Sequence, residues 1–173
     1  MSGYRVRRAV AADVPALLAA ERAAAERFAG HPLGERFLAT PTAEADFDDA
    51  IAEGCLFAAD APGGGAIGFA IAGEVGGHAH LEEVSVDPAH GRRGVGEALV
   101  GAVIAWARAR GHRAVTLTTL ESVPWNAPWY RKLGFRNLAP EELSKELRAL
   151  LDEEAERGVG RAPERVAMRK ELV

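Results

Sequence analysis

The chain has 173 residues, of which 48% are hydrophobic and 27% are charged, so a mainly disordered protein is excluded. There are 21 Lys and Arg against 25 Asp and Glu, which gives a net charge of −4. Nucleic-acid-binding domains are usually strongly basic, so no nucleic-acid partner is expected. The single cysteine, Cys55, excludes an internal disulfide and a cysteine-based zinc site, and we expect it to be a small buried side chain.

The length predicts one domain over residues 1–173. No apolar run approaches the roughly 20 residues of a membrane span. The first residues are polar and basic, with no apolar segment of the kind found in signal peptides. These features predict a cytoplasmic protein without a membrane partner.

The first half of the chain predicts helices followed by a strand meander. Alternation predicts a strand over 4–9, and apolar spacing predicts a helix from Asp13 that ends at Gly30. A loop, with or without one turn of helix, is expected over 31–42. The next predicted elements are a helix over 43–53 and three strands separated by Gly-rich turns, at 55–60, 66–73 and 78–87.

The second half predicts a crossover and further strand pairing. A long helix follows the loop at 91–96 and ends at Gly111. The later predicted elements are a strand at 115–119, a short helix around Tyr130, a strand at Gly134-Phe135, a charged helix over 140–157 and a strand at 165–168. Early hairpins followed by a crossover predict a mixed α/β fold.

One strand-to-helix turn is the strongest chemical signal in the chain. The strand ends at Val86-Asp87-Pro88, and Arg92-Arg93-Gly94-Val95-Gly96 then leads into the long helix. Helix N-termini present unpaired amides and positive charge, and glycines allow close approach of a phosphate. Glu97 after Gly96 excludes a P-loop, and Leu99 argues against a dinucleotide fingerprint. A plain turn without a ligand is the alternative.

Two motifs resemble those of the GNAT acetyltransferase superfamily. Val86-Asp87-Pro88 and Arg93-Gly94-Val95-Gly96 are similar to its central motif, although Gly91 occupies a position where the family has Gln or Arg. Tyr130-Arg131-Lys132-Leu133-Gly134-Phe135 is similar to its later Tyr-x-x-x-Gly-Phe motif, with Asn126 unusually close to the tyrosine. The resemblance covers nearly the whole chain.

This resemblance implies an acyl-CoA N-acyltransferase fold, with a central, mostly antiparallel sheet flanked by helices. It implies that acetyl-CoA is the co-substrate and that the pantetheine arm pairs with the strand before the loop, where that strand and the next one splay apart. The residues expected to bind acetyl-CoA are Val84, Ser85, Val86, Arg92, Arg93, Gly94, Val95, Gly96, Glu97 and Asn126.

The implied reaction is direct attack of a primary amine on acetyl-CoA in a ternary complex, catalysed by an acid and a base. The resemblance implies that the Tyr130 hydroxyl protonates the leaving thiolate. Period-two alternation places His80 and Glu82 on one face of a polar strand, and Glu82 is the first candidate for the base, with His80 second. Glu21 is a candidate ligand for a cationic amine, and Trp125 is a candidate wall of the acceptor pocket.

Several readings stay open at this stage. The donor could be another acyl-CoA, or the protein could be a CoA-binding regulatory module without turnover. An exposed polar strand face is the alternative for His80 and Glu82. His78 and His80 lack a third ligand, so no metal site is expected. The charged helix over 140–157 is either a solvated face or the surface of a homodimer.

Overall fold

The computed structural model describes residues 3–173 as a mixed α/β fold, which confirms the predicted fold class. Over these residues the strands are β1 (Arg5–Arg8), β2 (Leu56–Asp60), β3 (Ala66–Val75), β4 (His78–Val86), β5 (Ala114–Leu120), β6 (Arg136–Asn137) and β7 (Arg165–Glu171). The α-helices are α1 (Val14–Ala25), α2 (Gly34–Ala39), α3 (Glu44–Glu53), α4 (Val95–Ala109), α5 (Ala127–Lys132) and α6 (Lys145–Glu156).

Over the described residues the strands form one sheet in the order β1-β2-β3-β4-β5-β7-β6. The β1–β2, β2–β3, β5–β7 and β6–β7 pairs are antiparallel, and β4 and β5 are parallel. The chain packs as two compact units, one of residues 3–72 with Leu81–Trp106 and one of Gly73–His80 with Ala107–Val173. β4 therefore contributes its first residues to the second unit and the rest to the first.

The core of the first unit is built on β2 and β3. Leu56, Phe57, Ala58 and Ala59 are all buried, as expected for a continuous apolar strand with both faces covered. Phe47 of α3 packs against Phe69 of β3, with ring centroids 5.0 Å apart. Cys55 is buried, as predicted.

The core of the second unit is built on β5 and β7, which pair without a break from Ala114↔Glu171 to Leu120↔Arg165. The two β4–β5 pairs, Ala79↔Val115 and His80↔Thr116, lie at the start of β4. β5 is rich in β-branched residues, which fit a buried pleated strand.

One predicted helix and one predicted strand differ from the structure. The helix expected over 140–157 begins only at Lys145, because the Ser144 hydroxyl accepts a hydrogen bond from the Leu147 amide (3.1 Å) and starts the helix there. Pro140–Glu142 forms a separate 3-10 turn. The strand expected at Gly134-Phe135 begins at Arg136 instead, because the Phe135 amide still donates to Tyr130 O (3.1 Å) in the turn after α5. Within 31–42, where a loop with or without one turn of helix is expected, Gly34–Ala39 forms α2. Among the described residues, no helix is long and apolar enough to span a bilayer.

Candidate active site

The loop between β4 and α4 is held at both ends by backbone hydrogen bonds. At the end of β4, the Asp87 amide donates to Ile67 O of β3 (2.8 Å). The Asp87 carboxylate then accepts from the Ala89 amide (2.9 Å) and caps a 3-10 turn over Pro88–His90. At the other end, the Ala98 amide donates to Gly94 O (3.0 Å), which begins the hydrogen bonding of α4.

The start of α4 suits an anion. Because Ala98 is the first intrahelical donor, the amides of Val95, Gly96 and Glu97 precede it and have no partner within the helix. Val95 is buried and anchors the helix, whereas Glu97 is exposed. A helix of this length carries a partial positive charge at its N-terminus, so these amides can bind phosphate oxygens.

Two arginines in the loop add positive charge. Arg92 and Arg93 are both exposed. Arg92 has φ +56°, and it is the only non-glycine residue in 3–173 with a positive φ. A long side chain in the left-handed region is strained, and such strain is concentrated at functional sites. Backbone amides and two guanidinium groups together fit a diphosphate.

The strand that leads into the loop is packed closely against β3. Val84 and Val86 are half-buried and Ser85 is buried, with its hydroxyl donating to the Glu83 carboxylate (2.8 Å). A Cβ on Gly68 of β3 would lie only 2.7 Å from Ser85 O. Gly68 therefore allows β3 to approach the end of β4, a role that sequence reasoning missed although a glycine inside a strand signals close backbone approach.

Glu82 lies on β4 with an exposed side chain, yet the surrounding protein desolvates its carboxylate. This desolvation raises the pKa of Glu82, and the nearby negative charges of Asp46 and Glu53 raise the pKa further. A carboxylate that is both accessible and more basic than usual can accept a proton from an incoming group.

His80 is placed very differently. It is 3% exposed, and its Nδ1 lies 2.8 Å from the Thr116 hydroxyl on β5. Burial lowers the pKa of His80 to about 4, so the ring is neutral at pH 7. The alternation that placed His80 and Glu82 on one strand face does not give them the same environment, because only His80 is covered.

A buried ion pair lies close enough to His80 to act on its pKa, which Glu154 raises and Arg165 lowers. Arg165 of β7 forms a salt bridge with Glu154 of α6, and Arg165 Nη2 donates to Glu154 Oε1 (2.8 Å). The Thr118 hydroxyl also donates to Glu154 Oε1 (2.7 Å). Glu154 is 6% exposed, so this member of the predicted solvated helix face is buried instead. Sequence reasoning missed the pair, since one glutamate in an acidic helix gives no sign of burial.

The predicted substrate ligand Glu21 is engaged within the first unit. Its two carboxylate oxygens accept hydrogen bonds from the Thr42 amide (3.1 Å each), and Oε1 also accepts from the Thr42 hydroxyl (2.7 Å). These bonds tie α1 to the segment before α3, which is a structural role. Binding of a substrate amine by Glu21 stays a prediction.

The second motif forms a compact turn of helix in the second unit. Asn126 precedes α5, and its carbonyl accepts from the Trp129 and Tyr130 amides (2.9 and 3.0 Å). Gly134, with φ +88°, reverses the chain after α5, so that the Phe135 ring packs edge-on against Tyr130 with centroids 5.7 Å apart. This explains the spacing of Tyr130, Gly134 and Phe135. Trp125 is half-buried in the turn before α5.

The structure thus groups the predicted site residues by unit. The residues from Val84 to Glu97, together with Glu82 and Glu21, lie in the first unit. His80, Trp125, Asn126 and Tyr130 lie in the second unit. Among residues 3–173, no three side chains of the metal-binding types come together as a metal site.

Solved structures share this fold. The PaiA N-acetyltransferase from Thermoplasma acidophilum, in complex with coenzyme A, is 15% identical with a TM-score of 0.70 and covers 99% of this chain and 100% of its own. The ribosomal-protein-S18-alanine N-acetyltransferase from Escherichia coli is 22% identical with a TM-score of 0.64, covering 98% of this chain and 94% of its own.

A third similar structure is N-acetylglutamate synthase from Neisseria gonorrhoeae, complexed with coenzyme A and N-acetyl-glutamate. It is 19% identical with a TM-score of 0.72, and the match covers 100% of this chain but 36% of that one. A family model described as the acetyltransferase (GNAT) family matches residues 20–135, which is more than half of the chain. The chain therefore belongs to the GNAT acetyltransferase family.

Proposed function

We propose that this protein is an N-acetyltransferase that transfers the acetyl group of acetyl-CoA to a primary amine. The observation that carries the proposal is the loop before α4, where amides, two arginines and Gly94 meet at a helix N-terminus in a member of the GNAT family. Coenzyme A bound to two of the similar structures supports acetyl-CoA as the donor. The homodimer and the cytoplasmic location stay predictions.

The residues that would hold acetyl-CoA are those of β4 and the loop. The amides of Val95, Gly96 and Glu97 would bind the diphosphate together with Arg92 and Arg93. Val84 and Val86 would pair with the pantetheine arm through their backbone, as an added strand does. When bound, acetyl-CoA supplies a thioester whose carbonyl carbon is open to attack by an amine. Asn126 is the expected ligand from the later motif.

Two residues are proposed for proton transfer. Glu82 would take a proton from the ammonium form of the acceptor, because only the neutral amine is a nucleophile. Its raised pKa makes it a stronger base than an ordinary glutamate. Tyr130 would donate the proton that the departing thiolate needs, and the second proton that the nitrogen loses on forming the amide would restore the Tyr130 hydroxyl. His80 is the weaker candidate for the base, because burial lowers its pKa to about 4.

The test combines ligand binding with turnover. Acetyl-CoA at about 100 times its Kd should stabilise the protein by ~2.7 kcal/mol, seen as a higher melting temperature. A panel of small amines, amino acids and peptide N-termini is then screened for release of free thiol. Propionyl-CoA and succinyl-CoA run in parallel test for another donor.

Gly94→Val is the variant that tests the loop. Its side chain would crowd the diphosphate and would be strained at φ +79°, so CoA affinity should fall by at least tenfold. Gly64→Val is the matched control, because Gly64 also has a positive φ but lies in the β2–β3 turn. Absence of any melting shift at millimolar acetyl-CoA would refute the proposal, and binding without thiol release for any amine would indicate a regulatory module.

A further inference from the structure

The hydroxyl of Tyr4 lies between two residues of the loop before α4. It is 3.0 Å from His90 Nδ1, and Arg93 Nη1 donates to it over 3.1 Å. The Tyr4 and His90 rings also meet edge-on, with centroids 5.8 Å apart. Tyr4 immediately precedes β1 and lies outside residues 20–135, the range matched by the family model.

The donors and acceptors of this cluster are mutually consistent. A guanidinium can only donate, so the Tyr4 oxygen is the acceptor for Arg93. The Tyr4 O–H is then available to donate to His90 Nδ1, which requires the neutral ring with its proton on Nε2. The His90 amide donates to Asp87 O (2.9 Å), so the backbone that carries the His90 ring is held in a hydrogen-bonded turn.

Tyr4 therefore connects three separate parts of the first unit: the start of β1, the turn after β4 and the arginine before α4. Arg93 is exposed, and an exposed arginine side chain ordinarily samples many rotamers. Holding the guanidinium in place before the ligand arrives removes part of the ordering cost of binding.

We propose that Tyr4 is a positioning residue for coenzyme binding, whose hydroxyl, held by His90 Nδ1, orients the Arg93 guanidinium. This inference rests on the proposed function, because the anion that Arg93 would meet is the diphosphate of CoA. The alternative is that Tyr4 only anchors β1, in which case its hydroxyl contributes to folding and not to binding.

A double-mutant cycle separates these two roles. Tyr4→Phe removes the hydroxyl and keeps the ring, while Arg93→Met removes the charge and keeps most of the length. The Kd of CoA is measured by calorimetry for the wild type, both single variants and the double variant. If Tyr4 acts through Arg93, Tyr4→Phe raises the Kd of CoA roughly 3- to 10-fold when position 93 is Arg, as expected for the loss of one hydrogen bond. The same substitution leaves the Kd unchanged when position 93 is Met.

Turnover kinetics provide a second measurement, because a purely structural role of Tyr4 would not change KM and kcat in the same way. Tyr4→Phe should raise KM for acetyl-CoA by a similar factor and leave kcat unchanged, because the hydroxyl does not touch the reacting atoms. Arg5→Met is the matched control, since Arg5 is an exposed cation on β1 next to Tyr4. It should bind CoA as the wild type does.

The outcomes distinguish the inference from the proposed function. If the wild type binds no CoA, the proposed function fails. If the wild type binds CoA and Tyr4→Phe has no effect, or reduces affinity by the same factor with Arg or Met at position 93, only the positioning role is overturned. A lower melting temperature of Tyr4→Phe with unchanged Kd would likewise assign Tyr4 to folding alone.

Discussion

Replacing Arg92 by glycine is expected to stabilise the unliganded protein while weakening its affinity for CoA. Arg92 has φ +56°, a left-handed conformation that costs a residue with a Cβ roughly 1–2 kcal/mol. Glycine adopts this conformation freely, but it also gains about 0.5–1 kcal/mol of entropy in the unfolded chain. The free energy of unfolding of Arg92→Gly should therefore exceed that of the wild type by about 0.5–1 kcal/mol, which raises the melting temperature by about 1–4 °C for a chain of this length.

The same substitution removes a guanidinium that we place on the diphosphate. A charge-assisted phosphate interaction at an exposed site is worth roughly 1.4 kcal/mol, so the Kd of CoA should rise about tenfold. Arg92→Ala separates the two effects, because it removes the charge but keeps the Cβ and its strain. Both variants should bind CoA about equally weakly and both lose the repulsion between Arg92 and Arg27, so the strain is measured by how far Arg92→Gly melts above Arg92→Ala.

Thermal unfolding with and without CoA, together with calorimetric Kd values, measures both quantities. If Arg92→Gly melts no higher than Arg92→Ala, the left-handed strain is not a real cost in this loop. If both variants bind CoA as tightly as the wild type, Arg92 does not meet the diphosphate, and the backbone amides and Arg93 are left as its ligands.

Three further predictions concern the titratable residues. Tyr130→Phe should lower kcat by ~10²–10⁴ with little change in the Kd of CoA, measured by turnover and calorimetry, because only the proton donor is lost. Glu82→Gln should lower kcat/KM, with partial recovery at high pH where the amine loses its proton unaided; a loss that persists at high pH would make Glu82 a binding or structural residue. His80 has a folded-state pKa of about 4 against an ordinary value of 6.5, so its protonation favours unfolding as the pH falls below 6.5 and costs up to ~3 kcal/mol by pH 4. His80→Gln should therefore flatten the loss of melting temperature between pH 7 and pH 4, and an unchanged slope would contradict the assignment.

The elements that the sequence predicted well are those whose signals are local. The strand, the turn at Pro88 and the helix from Val95 follow one another within a short stretch of chain, and each has its own residue pattern. The Tyr130 motif is also local, since Gly134 ends the helix and brings Phe135 back onto the ring. Such local patterns predict the position of the loop amides and glycines before α4, and of the Tyr130 hydroxyl, without knowledge of the tertiary structure.

Two of the interactions that the sequence did not predict join residues that lie well apart along the chain. Arg165 reaches Glu154 only because β7 pairs with β5 and α6 packs near it, and Tyr4 reaches His90 across 86 positions. No spacing rule connects such residues, because their separation along the chain is set by everything folded between them. The first residue of α6 was also not predicted, because it is set by the Ser144 hydroxyl, which caps the helix. Several other polar residues in the same stretch are equally plausible caps from the sequence alone.

The titratable residues of β4 show how one physical effect can assign different roles on the same strand. Removal of water disfavours the charged form of any group, so it lowers the pKa of His80 and raises the pKa of Glu82. The lower pKa makes His80 a poorer proton acceptor at neutral pH. The higher pKa makes Glu82 a better proton acceptor, and its side chain stays accessible to an incoming amine. The negative charges of Asp46 and Glu53 act in the same direction on Glu82, and an acceptor with a cationic amine would reverse part of that effect on binding. Glu82 is therefore the group on this strand whose environment improves it as a base, and the pH dependence of Glu82→Gln is the measurement that decides whether the reaction uses it.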